Sequence, residues 1–508
     1  MESQGPLESF DAETYPLGVS RPPLKVADLP EPEEVFKVRR IGLREMLLLV
    51  LGPSMIALGV SIGSGEWLLG PLAVGKYGFM GVGWIILASA VLQTFYNVEV
   101  GRFTVATGEV PVVAFGRVPP GFRFWIPFTL FVIYLGCIWG GWASAAGQSV
   151  FALIAGRGNT PKELETVRLI AIVLLILSFT IYLFGKKISR TLEIFNEVMV
   201  FFILFALVIL ALLVAPASYW RDAFLSLVTV RRPPSGIDVS LLGALAGYTG
   251  FSSGMNFMMI NYYRDKGYGM GHRVGFIAGL VGGQQGAVLP SGVTFRESER
   301  NTRVWKRWFR FLLIDQWAVF FTGAILGMMV PCVLVGYLTT LPGAGVPEMA
   351  NMPVYAATEL GRVYGPFLFY FALFIGALTL FKTQSNILEM LIRNVTDGAY
   401  GMSARFREFI QGDPRRFYYP FAVALIVVIG IIIHLALPTT LLVFSANMAN
   451  FAALIYPFVM IYLNRQLPKP ARLRWWGCVV LILNFLFFGF FFVNFLSVQL
   501  FRAPLVRF

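Results

Sequence analysis

The sequence predicts an all-α integral membrane protein. Hydrophobic residues make up 57% of the 508 residues and charged residues only 14%, whereas soluble globular domains carry about 25% charged residues. The apolar residues form continuous runs, several of them longer than the roughly 20 residues that one membrane helix needs. A transmembrane β-barrel would show short segments of alternating hydrophobicity instead. These runs therefore favour a bundle of membrane-spanning helices.

Eleven apolar segments are predicted as membrane spans and are numbered here in chain order. They cover residues 43–75, 79–105, 123–155, 166–184, 191–216, 239–263, 310–338, 362–388, 418–436, 438–462 and 474–500. Residues 1–40 are polar and rich in Pro and Glu, which predicts a disordered tail.

The formal net charge of +13 indicates membrane orientation and not nucleic-acid binding. Lys and Arg lie mostly in short loops between the apolar runs, and nine of them lie in the loop 264–310. Cytoplasmic loops carry an excess of these residues. We therefore expect a multi-pass protein of the cell (inner or plasma) membrane, with a cytoplasmic N-terminus, an outside C-terminus and the lipid bilayer as its partner. The oligomeric state is not predicted.

Spans 1 and 6 carry a similar polar interruption at their centres. Span 1 contains Gly63-Ser64-Gly65-Glu66, and span 6 contains Ser252-Ser253-Gly254-Met255-Asn256. Each span opens a set of five, so the second set is inverted relative to the first. This pattern is typical of inverted-repeat transporters, in which the first helix of each repeat is broken at the substrate site. The alternative is that Gly and Ser only allow close helix packing.

This pattern predicts four regions. They are the cytoplasmic tail 1–40, a first repeat 41–216 with spans 1–5, a second repeat 217–464 with spans 6–10 and the cytoplasmic loop 264–310, and residues 465–508 with span 11 and a short outside tail.

Most of residues 43–462 resemble the Nramp divalent-metal transporters. Matching features are Gly52-Pro53-Ser54 before the span 1 interruption, Thr107-Gly108-Glu109 after span 2, Asp397-Gly398 after span 8 and Ser445-Ala446-Asn447 in span 10. The resemblance implies a LeuT-type fold, with a 5+5 inverted repeat and broken helices 1 and 6. It also implies coupled transport of divalent metal ions.

The expected metal site departs from that family. The family's metal-binding aspartate corresponds to Gly63, its asparagine to Glu66 and its methionine to Ser253. The resemblance and the residue types together predict the substrate or ion ligands Val60, Gly63, Ser64, Glu66, Gly250, Ser253, Asn256 and Asn447, of which Glu66, Ser253 and Asn447 are predicted as metal ligands. Such an all-oxygen set suits hard ions such as Mg²⁺ or Mn²⁺. The alternative is that Glu66 pairs structurally at a helix N-terminus.

Four further ionisable residues are candidates for coupling or for counter-ions. Lys382 in span 8 is expected to occupy a sodium-like position or to pair with Glu66 when no ion is bound, unless it snorkels to the surface. Glu99 and Arg102 are expected to form a mainly structural ion pair, and His434 has a coupling or a packing role. No cofactor is expected besides the transported cation, and proton or sodium coupling stays open.

These observations predict a secondary-active transporter of divalent cations that works by alternating access. A carrier of a small organic or anionic substrate with the same fold is one alternative, and a membrane sensor that has lost transport is another. An enzyme is not expected, because the sequence shows no nucleophile–base pair and only two scattered histidines.

Overall fold

The computed structural model describes residues 24–31, 52–183, 188–231, 236–249, 254–277 and 288–505. Within these ranges the ordered elements are helices, and none is a β-strand. The predicted all-α class is therefore confirmed.

Helices occupy the described part of every predicted span. They are Gly52–Ser61 and Gly70–Tyr77 in span 1, Phe79–Thr107 in span 2, Phe122–Cys137 and Gly141–Ala155 in span 3, Leu164–Thr180 in span 4, Ile188–Val214 in span 5, Val239–Tyr248 and Asn256–Lys266 in span 6, Glu299–Ile314 and Thr322–Leu338 in span 7, Pro366–Met402 in span 8, Arg415–Ile432 in span 9, Pro438–Ala452 and Tyr456–Asn464 in span 10, and Trp475–Phe501 in span 11. Two shorter helices, Ala217–Val228 and Met352–Tyr364, lie between spans.

Eight helices of the described chain are long and apolar enough to cross a membrane. Spans 1, 4 and 6 are not among them, because spans 1 and 6 are interrupted and the helix of span 4 has 17 residues. The total of eleven spans stays a prediction.

Spans 1 and 6 are both broken, as predicted. In span 1 the first helix ends at Ser61, Ile62 and Gly63 form a turn, and a π-helix over Gly65–Leu69 leads into Gly70–Tyr77. In span 6 the first helix ends at Tyr248 and the second begins at Asn256. Gly254 has a φ of 95°, a conformation that favours glycine. The predicted ligands Gly250 and Ser253 lie outside the described residues.

The two broken spans pack against each other in opposite directions. The first half of span 1 contacts the second half of span 6, and the second half of span 1 contacts the first half of span 6. Their breaks therefore lie side by side in the interior. Span 8 also contacts the first half of span 1. A Cβ atom at Gly65 would lie 2.5 Å from the Cβ of Tyr248, so glycine is needed for this close approach.

Three predicted boundaries need correction. The loop 264–310 is shorter, because helix Asn256–Lys266 enters it and helix Glu299–Ile314 begins within it. Span 8 continues to Met402, well past the predicted end at residue 388. Residues 24–31 of the predicted disordered tail are ordered, because the side chains of Val26 and Leu29 are buried.

Buried ion pairs explain why span 8 continues as a helix. Arg393 lies 2.7 Å from Asp265 of span 6 and also bonds Glu389 one turn earlier. Arg264 lies 3.0 Å from Asp397. Because these charges neutralise one another in the interior, the charged end of span 8 packs against span 6 and does not form a solvated loop.

Candidate functional site

The side chain of Glu66 forms hydrogen bonds across the break in span 1. Its side chain is buried, with Oε1 accepting a hydrogen bond from Ser61 Oγ at 3.1 Å and Oε2 accepting one from the Gly63 N–H at 2.9 Å. The amide groups at the start of a helix carry partial positive charge and have no partners within the helix. Glu66 is a partner for one of these amide groups. This agrees with the alternative, left open by the sequence, that Glu66 pairs structurally at a helix N-terminus.

Lys382 lies on the other side of the same break. It is fully buried in helix Pro366–Met402, so it does not snorkel to the surface, and its Nζ donates to the Ile62 carbonyl at 2.8 Å. The hydroxyl of Thr383 donates to the Thr379 carbonyl of its own helix at 2.9 Å and lies 3.4 and 3.5 Å from the carbonyl oxygens of Gly59 and Ile62. These oxygens belong to the carbonyl end of the first half of span 1, which favours a cation. The carbonyls that face span 8 are therefore those of Gly59 and Ile62, whereas the sequence predicted that of Val60.

The break in span 1 therefore carries its own charges at both ends. Glu66 binds at the N–H side and Lys382 binds at the carbonyl side. A buried charge is costly unless it is paired and hydrogen-bonded. Here Glu66 is hydrogen-bonded to Ser61 and Gly63, and Lys382 is hydrogen-bonded to Ile62.

A small cavity lies where the two breaks meet. Its volume is about 10 Å³, which is close to the space that one water molecule needs. It is lined by Ser61, Ser64, Gly65, Trp142, Tyr248, Met255, Thr383 and Ile387. These residues come from spans 1, 3, 6 and 8, so four parts of the bundle meet at one point.

The cavity lining combines hydroxyl groups with aromatic rings. Ser64 Oγ is buried and has no hydrogen-bond partner among the described residues. The rings of Trp142 and Tyr248 lie 6.0 Å apart, and the Tyr248 hydroxyl is already engaged with Ser445 Oγ at 2.8 Å. Ser64 is therefore the polar group of this lining that is available to a ligand.

Two predicted ligands point away from Glu66. Asn256 accepts a hydrogen bond from the Gly254 N–H at 3.0 Å and donates to Asn97 at 3.1 Å, so it stabilises the start of the second half of span 6. Asn447 donates to the Ser240 carbonyl at 2.9 Å, because span 10 packs against the first half of span 6. The structure does not bring either amide to the break of span 1.

The predicted coupling residues other than Lys382 also lie elsewhere. Glu99 and Arg102 form a buried pair at 2.8 Å, and Asn464 donates to Glu99 at 3.0 Å, which fits the structural role expected from the sequence. His434 follows the end of span 9, half-exposed, with Nδ1 at 3.6 Å from Glu165 at the start of span 4. None of these three side chains is among the partners of Glu66 or Lys382 in the described chain.

The predicted metal site is not assembled in the part of the chain that the structure describes. No group of three His, Cys, Asp or Glu side chains there is placed to hold a metal ion. Of the predicted metal ligands, Glu66 bonds its own backbone turn, Asn447 bonds span 6, and Ser253 lies outside the described ranges.

Asp315 is a buried carboxylate that was not singled out in the sequence. Asp315 in span 7 accepts hydrogen bonds from the Ser54 N–H at 3.3 Å and from the Tyr263 hydroxyl, and Gln316 donates to it at 3.3 Å. No Lys or Arg of the described chain forms an ion pair with it within 4.0 Å. Asp315 thus joins the first half of span 1 to the second half of span 6. Its position inside the apolar run 310–338 was the available signal, because ionisable residues within spans are rare.

The cavity walls Trp142, Tyr248 and Met255 were also missed. They lie in ordinary apolar runs of spans 3 and 6, and nothing in their spacing separates them from other core residues. Only the packing of the two breaks brings them together.

No protein-family model matches the chain, and no curated protein matches it in sequence.

Solved structures share its fold. A manganese transporter from Eremococcus coleocola, in a point-mutant form, aligns with a TM-score of 0.59 at 15% identity, covering 94% of this chain and 91% of that chain. MhsT in complex with L-phenylalanine aligns with a TM-score of 0.50 at 12% identity, covering 90% and 99%. The chain therefore has the LeuT-type fold, with its broken spans 1 and 6, that the sequence predicts. At these identities the likeness shows the fold alone.

Proposed function

We propose that this protein is a secondary transporter that moves a small organic solute by alternating access. Three features support transport: the shared fold, the paired breaks in spans 1 and 6, and the cavity between them. Transporters with inverted repeats bind their substrate at such breaks, and rocking of one part of the bundle exposes the site to either side.

The observation that carries the choice of cargo is the pair of charges at the break. Glu66 occupies the N–H end and Lys382 occupies the carbonyl end. The N–H and carbonyl groups at the two half-helix ends, which would otherwise attract an ionic cargo, are thereby hydrogen-bonded to side chains of the protein itself. What remains for a ligand in the described part of the site is the unpartnered Ser64 hydroxyl beside the rings of Trp142 and Tyr248. In this closed arrangement the cavity has room for about one water molecule, so a solute enters only when the bundle opens. The lining then offers it aromatic rings and a hydrogen-bonding group.

A divalent cation is less well supported by the same geometry. The ammonium of Lys382 would repel it, and Glu66 is the one carboxylate at the break among the described residues. To bind there, the cation would have to displace Lys382 and draw Glu66 away from the Gly63 N–H.

The divalent cation is kept as a second candidate because of two observations. The chain aligns well with a manganese transporter. The oxygens of Glu66, Ser61 and Ser64 lie close together at the break, and oxygen ligands suit Mg²⁺ and Mn²⁺.

Uptake into proteoliposomes distinguishes the two candidates. Purified protein is reconstituted, and uptake of a panel of labelled amino acids and nucleobases is compared with uptake of Mn²⁺ and Mg²⁺, each with and without Na⁺. The variant Ser64→Val fills the cavity and removes its free hydroxyl, whereas Ser218→Val changes an exposed serine outside it. We expect uptake of an organic solute, lost in Ser64→Val and kept in Ser218→Val.

The outcomes separate clearly. Uptake of Mn²⁺ or Mg²⁺ that stops in Glu66→Ala, with no uptake of organic solutes, would favour the second candidate. Equal uptake by Ser64→Val and the unchanged protein would contradict the proposed position of the site.

A further inference from the structure

Span 7 begins as a basic helix that continues directly into the membrane-spanning part of the chain. Helix Glu299–Ile314 leads through the π-helix Asp315–Phe321 into Thr322–Leu338, forming a continuous helical segment of 40 residues. Its first part carries Arg303, Lys306, Arg307 and Arg310, and its later part is apolar. The change from basic to apolar residues marks where the helix enters the bilayer.

The arginines lie on the face of span 7 that turns away from the protein. The exposed residues of span 7 include Arg303, Lys306, Arg307 and Arg310 near its start and Ala318, Thr322 and Leu326 further along. The last three lie in the apolar part, where an exposed face contacts lipid. Because both sets belong to one continuous helical segment, the basic end lies at the membrane surface next to the lipid-facing part.

Span 11 begins beside this point. Phe95 of span 2 contacts the ring of Trp317 at 4.8 Å and the ring of Trp476 at 6.3 Å, so the starts of spans 7 and 11 flank one side chain. Arg474 precedes helix Trp475–Phe501 and is exposed, and Trp475 is 78% exposed. Exposed tryptophans at the ends of spans typically lie at the level of the lipid headgroups.

Three arginines at this level have no acidic partner. Among the described residues, Arg307, Arg310 and Arg474 form no ion pair, whereas nearby Lys469 is paired with Glu297. These three arginines are called the basic surface below. Guanidinium groups bind phosphate oxygens with two hydrogen bonds, and basic pockets between spans bind anionic lipid headgroups.

We propose that the basic surface is a binding site for the phosphate headgroup of an anionic phospholipid. The acyl chains of the bound lipid lie against exposed apolar residues such as Leu326 of span 7 and Val479 of span 11, and its phosphate accepts hydrogen bonds from the arginines. The site is separate from the cavity at the two breaks, so it does not depend on what the protein transports.

Native mass spectrometry of the full-length protein in detergent tests this site. Phosphatidylglycerol is titrated against the protein, with phosphatidylcholine as the neutral lipid. The test variant is R307Q/R310Q/R474Q. The control variant R123Q/R405Q/R416Q removes three exposed arginines that the sequence places on the same side of the membrane. Each basic residue near a membrane surface contributes about a fivefold gain in affinity for anionic lipid, so the test variant is expected to lose on the order of 100-fold.

The control variant is expected to bind phosphatidylglycerol within about threefold of the unchanged protein, given that its arginines lie elsewhere. R307K/R310K/R474K keeps the charge and should retain most of the affinity, which also shows that the surface tolerates substitution. Free glycerol phosphate should not displace the lipid. Equal losses in the test and control variants, no loss in the test variant, or full displacement by glycerol phosphate would each overturn the proposal.

Discussion

Replacing Lys382 with alanine tests the central feature of the site. The change removes the ammonium that donates to the Ile62 carbonyl at 2.8 Å. It leaves that carbonyl at the end of a half-helix without its cationic partner.

The expected loss of stability follows from the lost hydrogen bond. A hydrogen bond to a charged group contributes about 1.5–3 kcal/mol to stability. When one partner is removed and the other stays buried, the remaining group loses its hydrogen bond without regaining one to water. We therefore expect the free energy of unfolding to fall by about 1.5–3 kcal/mol in Lys382→Ala.

The same variant should gain a response to monovalent cations. The carbonyls of Gly59 and Ile62 and the hydroxyl of Thr383 would surround the space that the ammonium leaves. A bound ion stabilises the folded state by about 2.7 kcal/mol when its concentration is 100 times the dissociation constant. Sodium should therefore restore much of the stability that Lys382→Ala loses, and it should have little effect on the unchanged protein.

Thermal melting of the purified protein in NaCl and in choline chloride measures both effects. Lys76→Ala is the control, because Lys76 is an exposed lysine at the end of the same broken span. It should melt like the unchanged protein in both salts. The reasoning is refuted if Lys382→Ala melts at the same temperature as the unchanged protein and transports at the same rate. It is also refuted if sodium stabilises the unchanged protein as much as the variant.

Three further predictions concern other buried charges. Glu66→Gln keeps an acceptor for the Gly63 N–H, so the melting temperature should change little, and uptake of an organic solute should be kept, because the Ser64 hydroxyl and not Glu66 is proposed to bind it. Asp315→Leu leaves the Tyr263 hydroxyl without its acceptor, so the free energy of unfolding should fall by about 1–3 kcal/mol, measured by denaturant unfolding. Arg393→Met leaves buried carboxylates without a cation, and thermal melting should show a loss of about 3–5 kcal/mol.

Each of these variants has an exposed counterpart. Glu408→Gln, Asp222→Leu and Arg405→Met change residues at the surface, where substitutions usually alter stability by about 0.5 kcal/mol or less. If uptake of an organic solute stops in Glu66→Gln, Glu66 takes part in binding the cargo and the proposed role of Ser64 alone is contradicted. If Asp315→Leu or Arg393→Met is as stable as its counterpart, the corresponding buried contacts do not stabilise the fold.

Much of the fold could be predicted from the sequence. Continuous apolar runs must be helices in a bilayer, because each backbone N–H and C=O needs a partner within its own segment. The paired interruptions at Gly63–Glu66 and Ser253–Asn256 indicated two broken spans, and both spans are broken. The charged end of span 8 was not predicted as helix, because its carboxylates and arginines resemble a solvated loop until their partners on span 6 are known.

The candidate site could be predicted only in part. Glu66 and Lys382 were found because a charge inside a span is costly and therefore conspicuous. Asn256 and Asn447 were predicted as ligands from their sequence positions. In the structure each amide side chain instead forms hydrogen bonds with a neighbouring backbone group. Here those groups are the Gly254 N–H and the Ser240 carbonyl.

The sequence by itself determined the class of the protein, the position of most spans and the two interruptions, because these follow from local composition and from the needs of a backbone in lipid. Only the tertiary structure decided which groups meet: Lys382 on the Ile62 carbonyl, Glu66 on its own turn, and Trp142 and Tyr248 at one cavity. Such contacts join residues far apart in the chain, and they depend on how the helices cross and rotate. No local pattern in the sequence records those angles.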